Sequence, residues 1–332
     1  MTDKEPCVVA FDTSNYTTSV AVCALDGRIV VNRKILLRVR DGECGLRQSD
    51  AVFLHTKNLP IICDMLAEDL KAFSPVAVGV SATPRRVPDS YMPCFACGIA
   101  AAHSFAASRA LPVYQTSHQH GHIMAAMYSS GKTEKLMRDR FLAFHVSGGT
   151  TEALLITPNN NRDDFDIRLV GQTMDINAGQ AIDRAGVMMG LSFPCGRELE
   201  KLAADYSGKT EKHKVCVRDG NCCMSGIENI ARKIYERTKD RNATAAVVFD
   251  FICETLVEMS GQLLDKYGNM PILYAGGVMS NKIMRDRLSA QFDAGFAEPE
   301  FSSDNAAGVA LLARLDFLRR NDEQFCLQYP KY

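Results

Sequence analysis

Long hydrophobic runs are missing from this 332-residue sequence. No segment approaches the roughly 20 consecutive apolar residues that a membrane-spanning helix needs, and the longest apolar stretches are broken by Asp, Glu or Gly. The opening MTDKEPCVVAFD lacks the basic segment and apolar run of a secretory leader. The expectation is a cytoplasmic chain with no membrane partner. A charge excess of either sign is also lacking. The formal net charge is −1, so a polyanion would be held by a local basic patch rather than by the field of the whole molecule. No low-complexity linker divides the chain.

What is present is an ordinary globular balance, 46% hydrophobic and 23% charged, enough for two modest domains or one large one. Twelve cysteines occur, and in a reducing compartment disulfides are not expected. Cys7, Cys23, Cys63 and Cys253 sit inside apolar patterns and read as buried thiols. Cys44, Cys94, Cys97, Cys195, Cys222 and Cys223 fall on loops or element ends. Cys94 and Cys97 form a C-x-x-C, but no second pair stands at zinc-ribbon spacing. An iron–sulfur cluster or redox role for Cys94, Cys97, Cys195, Cys222 and Cys223 is therefore a secondary expectation.

The pattern along the chain repeats. Residues 7–12 (CVVAFD) form an apolar strand ending on an acid, followed by a polar turn, a strand at 19–24, an Asp-Gly turn and a strand at 29–37. A second meander runs through 140–146, a Ser-Gly-Gly-Thr-Thr turn, 152–157 and 166–171. Helices and single strands follow each. Two such copies describe an α/β protein of the two-lobed actin/sugar-kinase/Hsp70 (ASKHA) type, with duplicated mixed sheets and an interlobe cleft. The expected domains are residues 1–139, carrying the histidines discussed next, and 140–332, binding nucleotide.

In Thr116-Ser117-His118-Gln119-His120-Gly121-His122, three of the seven histidines fall within five residues. His118 and His122 are four apart, so on a helix they share a face and can share a metal; His120 points elsewhere. Helix-start histidines exposed to water are the competing explanation. A zinc peptidase would need Glu directly after the first His, where Gln119 stands. Two histidines are too few for a tight site, and Asp304, where a polar loop enters a helix, is the candidate oxygen ligand. Read by itself it is more simply a helix N-cap.

Two small-residue turns offer backbone N–H groups to an anion: residues 12–18 and Ser147-Gly148-Gly149-Thr150-Thr151. Asp175 and Asp183 fall roughly on one helical face, where a carboxylate can take ribose hydroxyls or simply meet water. Gly276 and Gly277, between strand and helix and ahead of Asn281, mark another place for a nucleotide.

With these segments in order, residues 7–318 resemble the universal tRNA N6-threonylcarbamoyladenosine transferase family (TsaD-like). The likeness is carried by D-T-S-x(4)-S-V-A-V, H-x-x-x-H, V-S-G-G-T-T-E and D-x-x-A-G-x-A-x-D. It continues through G-L-x-x-P-x-G, M-S-G-I-E-N, G-G-V-x-x-N and S-D-N-A-A. The resemblance implies one iron or zinc ion on His118, His122 and Asp304. It also implies ATP or an adenylate at His145, Val146, Ser147, Gly148, Gly149, Asp183, Gly196 and Asn281, and threonylcarbamoyl transfer to N6 of adenosine in tRNA. Pairing through the N-terminal lobe, with a homologous ASKHA subunit or a second copy, follows by the same analogy. Departures stand at Tyr16 and Thr17 (usually Asp-Glu), Thr150 (usually His), Thr83 to Arg86 (a Gly-Pro-Gly stretch) and Cys195 (a glycine). His145 occupies the place of a family tyrosine and is expected as a further metal ligand. Loss of two acids and gain of two arginines are expected to make the cleft more positive, as in a divergent paralog. Such a paralog would act on another substrate, or serve as a non-catalytic partner subunit.

Overall fold

The computed structural model describes residues 4–14, 16–38, 46–159 and 164–321, which leaves Cys44 and the tip of the first turn, Asn15, outside the description. The chain divides into two units: Met1–Met137 with Pro158–Phe165 and Glu300–Tyr332, and Arg138–Thr157 with Asp166–Pro299.

In the first unit, β1 (Glu5–Asp12), β2 (Thr17–Ala24) and β3 (Ile29–Leu36) form an antiparallel meander. Helix α1 (Gln48–Asp69), β4 (Phe73–Thr83), α2 (Phe95–Ala107) and β5 (Val113–Ser117) follow. The sheet order is β3-β2-β1-β4-β5, with β4 parallel to β1 and β5 parallel to β4. Strand β1 is apolar on both faces because both are covered. Cys7, Val9 and Phe11 pack with Ile62 and Leu66 of α1 and Ala102 and Ala106 of α2. Val8, on the opposite face, packs with Ala313, Phe317 and Leu318, the alternation a strand imposes. β5 runs directly into α3 (His118–Ser129), and α4 (Thr133–Arg138) follows.

In the second unit, β6 (Phe141–Val146) pairs antiparallel with β7 (Thr151–Asn159), and β8 (Asp164–Gln172) lies beyond it. Helices α5 (Ala178–Met188) and α6 (Gly196–Ala204) precede a hairpin of β9 (Cys216–Arg218) and β10 (Asn221–Cys223). Helices α7 (Gly226–Thr238) and α8 (Arg241–Tyr267), strand β11 (Ile272–Ala275), helix α9 (Lys282–Ser289) and strand β12 (Ala294–Phe296) complete it. The order β12-β11-β6-β7-β8, with β11 parallel to β6 and β12, repeats the first sheet: a meander flanked by two parallel strands. The expected duplication is therefore present.

The boundary is not the single cut expected at 139/140. After α10 (Pro299–Ser302) the chain returns to the first unit as α11 (Ala307–Arg320). This helix is buried along nearly its whole length, so it has no polar face to leave in water, and it packs on β1, β2, β4 and α3. Segment Pro158–Phe165 also falls with the first unit. Elements of three to six residues, such as α4, β9, β10 and β12, give too little periodicity to be read from sequence. No helix among the described residues is long and apolar enough to cross a membrane.

Candidate metal centre

The histidine face is set by a helix start. Ser117 closes β5 in extended conformation and its Oγ accepts the His120 N–H at 3.3 Å, an N-cap. His118 is thus the first helical residue, and His122 stands above it one turn later. His120 points away: its ring stacks on Phe165 and Nε2 lies 2.9 Å from the Phe165 carbonyl oxygen.

Asp304 comes from the corner between α10 and α11. It does not cap α11: the N-cap is Ala306, and no side chain caps this helix. Asn305 Oδ1 accepts the Ala307 N–H at 3.0 Å, and Nδ2 donates to the carbonyls of Ser303 and Phe301. The Asp304 carboxylate turns to the histidines instead. Lys34 of β3 holds the same corner, donating to the Glu300 carbonyl at 2.6 Å and Ser303 Oγ at 3.1 Å.

His122 Nε2 lies 2.9 Å from His118 Nε2 and 3.0 Å from Asp304 Oδ1, and His118 Nε2 lies 3.4 Å from that same oxygen. All three side chains are only 16–17% exposed. Two imidazole nitrogens and a carboxylate oxygen within 4.8 Å of one another match the donor set of a borderline divalent ion such as zinc or iron(II).

Behind His118 stands a carboxylate absent from the expected ligand set. Asp12, at the buried end of β1, places Oδ2 3.0 Å from His118 Nδ1. Ser14 Oγ lies 2.6 Å from the same nitrogen and donates its own proton to Asp12 Oδ1. Both neighbours of Nδ1 accept, so Nδ1 carries the proton and Nε2 presents its lone pair, as in a carboxylate–histidine–metal relay. The same arrangement excludes Ser14 as a histidine-activated nucleophile, since its proton goes to a carboxylate. The sequence signal was the acid at the strand end followed by hydroxyl residues; its partner was not readable.

Charges follow the geometry. Burial disfavours a charged His118 ring, but the carboxylates of Asp12 and Asp304 outweigh this and push its pKa up to about 10. Burial likewise opposes the Asp12 and Asp304 charges. The histidines prevail and hold both carboxyls below the usual range, Asp304 far below it. The centre has a strong demand for positive charge.

A family model described as TsaD, tRNA N6-adenosine threonylcarbamoyltransferase, matches residues 88–311, a span that includes all three converging side chains. The chain belongs to the TsaD family. It is similar to the tRNA N6-adenosine threonylcarbamoyltransferases of Streptococcus suis strain 05ZYH33 (28% identical; 96% of this chain, 94% of the relative) and of Streptococcus pneumoniae strain Taiwan19F-14 (27%, over the same shares). Among solved structures it resembles full-length HypF (TM-score 0.57, 11% identical, 94% of this chain and 56% of that one). It also resembles a ROK-family glucokinase from Streptomyces griseus (TM-score 0.51, 13% identical, 93% and 99%). These likenesses establish the fold: an α/β protein of the actin/sugar-kinase/Hsp70 type. The TsaD family is one of transferases, and the relatives carry a transferase's name.

The second unit of this TsaD-family chain holds the other expected residues. Val146, fully buried, ends β6, and Ser147 opens a turn closed by its own N–H to the Thr150 carbonyl at 2.7 Å. Ser147 Oγ accepts from the Gly149 and Thr150 N–H groups. Gly148 and Gly149 are exposed with open space beside them. Gly276, at φ +99°, lies so close to the Val146 carbonyl that a Cβ would sit 2.3 Å from its oxygen, while Gly277 is exposed. Asn281 Oδ1 caps α9 through the Met284 N–H, and its Nδ2 is buried with no partner among the described residues. Asp183 Oδ1 accepts the Cys195 N–H at 2.8 Å, beside Gly196 at the start of α6. Asp175, expected to share its face, is bound elsewhere, to the backbone N–H groups of Ile176, Met224 and Ser225.

His145 sits on β6 in the second unit, opposite Glu152 and Ala275, and is outside the group of three side chains that could hold a metal ion. Among the described residues no cysteine joins a group of three metal-binding side chains. Cys94, Cys195 and Cys222 are buried, Cys97 and Cys223 half-buried. Cys195 packs where a Cβ on Gly186 would collide with it. Thr17 is buried within β2, and the Tyr16 N–H points at Asp304 Oδ2 from 3.5 Å. Arg86 does not add free positive charge: it pairs with Asp164.

Proposed function

We propose that the chain transfers a threonylcarbamoyl group, or a closely related carbamoyl group, from an adenylate to N6 of adenosine in tRNA, with a divalent iron or zinc ion on His118, His122 and Asp304. The convergence of those three side chains, with His118 held by buried Asp12, carries the reading. When bound, the ion supplies a Lewis acid for a carbonyl oxygen. The chain's own part is to hold the ligands: Asp12 fixes the His118 tautomer, and Asn305 and Lys34 secure the corner bearing Asp304. The exposed glycines 148, 149 and 277 offer main chain to the adenylate, with Asp183 and Asn281 as its polar contacts. A second reading, a paralog acting on another acceptor, draws on the departures at Tyr16, Thr17 and Thr150.

The test is a transfer assay with synthetic threonylcarbamoyl-adenylate and unmodified tRNA, alongside metal and sulfide analysis of aerobic and anaerobic preparations. Modified adenosine in tRNA together with one ion per chain supports the reading. An ion without tRNA modification supports the other-acceptor paralog, and iron with stoichiometric sulfide supports a cluster. Metal content of His145→Ala decides the fourth ligand: a fall includes His145, and an unchanged value leaves the three-residue set.

A further inference from the structure

The β9–β10 hairpin lies in the second unit, and its ends carry two cysteines. Cys216 opens β9 and Cys223 closes β10, and the antiparallel register sets them directly opposite one another. The connecting residues Asp219 and Gly220 both have positive φ, 52° and 81°. That is the signature of a type I′ turn, which fixes the register. Directly opposed residues in such a ladder have Cα atoms about 4.5–5.5 Å apart, inside the roughly 4.4–6.8 Å that a disulfide spans. The Cys216 thiol lies near enough to help push the Cys223 thiol up. Alternation turns Cys222 the other way, into the core with Met224 and Leu263, where burial pushes its thiol up to about 12. Cys216 is exposed and Cys223 half-buried.

We propose that Cys216 and Cys223 form a dithiol site that closes to a disulfide by exchange with a low-molecular-weight disulfide. The exposed Cys216, as thiolate, attacks one sulfur of the small disulfide. The reagent's S–S bond breaks, a mixed disulfide forms on Cys216, and the first small thiolate leaves. Cys223, as thiolate, then attacks the Cys216 sulfur. The Cys216–Cys223 bond forms and the second small thiolate leaves. The two cysteine thiols are oxidised, the reagent is reduced to two thiols, and the two cysteine protons pass to them. Cys223 is the resolving member, because burial, the Asp175 carboxylate and Cys216 itself all hold its thiol in the protonated form. The bond would tie the hairpin across its open end, just ahead of Met224 and Ser225, whose N–H groups Asp175 holds.

The experiment equilibrates the full chain with graded ratios of oxidised to reduced glutathione, quenches with acid, alkylates and maps peptides by mass. The expected result is a Cys216–Cys223 cross-linked peptide in the wild type and in Cys222→Ser. In Cys223→Ser the expected product is a glutathione adduct retained on Cys216. Stable adducts on wild-type Cys216 with no cross-link, or no reaction at either residue while other thiols react, would overturn the proposal. Far-ultraviolet circular dichroism of each serine variant confirms that it is folded before exchange.

Discussion

A Cβ placed on Gly308 of α11 would sit 1.8 Å from the carbonyl oxygen of Gly121 in α3. Gly121 lies directly before His122, and Gly308 four residues after Asp304, so this close contact between the two helices sits beside the pairing of carboxylate and imidazole. Gly308→Ala forces the helices apart. Overpacking of this kind costs about 1–3 kcal/mol, and the metal ligands separate with it. The expected outcome is a lower melting temperature together with reduced bound metal. A variant with wild-type values of both would refute the link between this contact and the centre.

Asp12→Asn keeps the shape of the buried side chain and removes its charge. Loss of a partner behind a metal-bound histidine typically weakens affinity about 10–100-fold. A competition titration with a chromophoric chelator measures this, and undiminished affinity would remove Asp12 from the centre.

Metal binding is expected to release a proton. In the metal-free chain His118 stays protonated up to about pH 10, and an ion needs its Nε2 lone pair. Affinity should therefore rise roughly tenfold per pH unit across neutrality and level off near pH 10. Calorimetry in buffers of different ionisation enthalpy counts the proton; a value near zero at pH 7 contradicts it.

The stability of the metal-free chain has the matching signs. The raised His118 pKa contributes stability that is fully present below about 6.5 and lost as pH rises through about 10. The depressed Asp12 and Asp304 values contribute stability present above about 3.8 and lost as pH falls below it. Denaturant midpoints of the metal-free chain should fall on both sides of this plateau. In Asp304→Asn both the acid and the alkaline losses should shrink, and an unchanged profile would contradict the pairing.

Asp175→Ala leaves three backbone N–H groups without their acceptor. Because the carboxylate is exposed, screening keeps the loss to about 1 kcal/mol. Its pKa is lowered to about 2: burial acts against this, and the backbone and Ser225 hydrogen bonds produce it. Its contribution is therefore intact above about 3.8 and fades as pH falls towards 2. Hydrogen exchange at Met224 and Ser225 should quicken in the variant; unchanged exchange would show that those amides are held by other means.

Much of this protein is local information, and local information is legible in sequence. Strand alternation, the Asp-Gly and Gly-Gly turns, the four-residue spacing of His118 and His122, and the repeat of two meanders all depend on residues within a few positions of each other. The order of the motifs carried the family likeness for the same reason.

Tertiary structure decided the rest, because it rests on contacts between distant parts of the chain. Whether Asp304 caps a helix or faces the two histidines depended on how the α10–α11 corner is held and on two glycines nearly two hundred residues apart. The proton position on His118 depended on Asp12, over a hundred residues upstream, and the domain boundary on a C-terminal helix too apolar to remain outside the first unit's core. Such choices are settled by which buried group finds a partner, and a chain written in one dimension does not contain the distances.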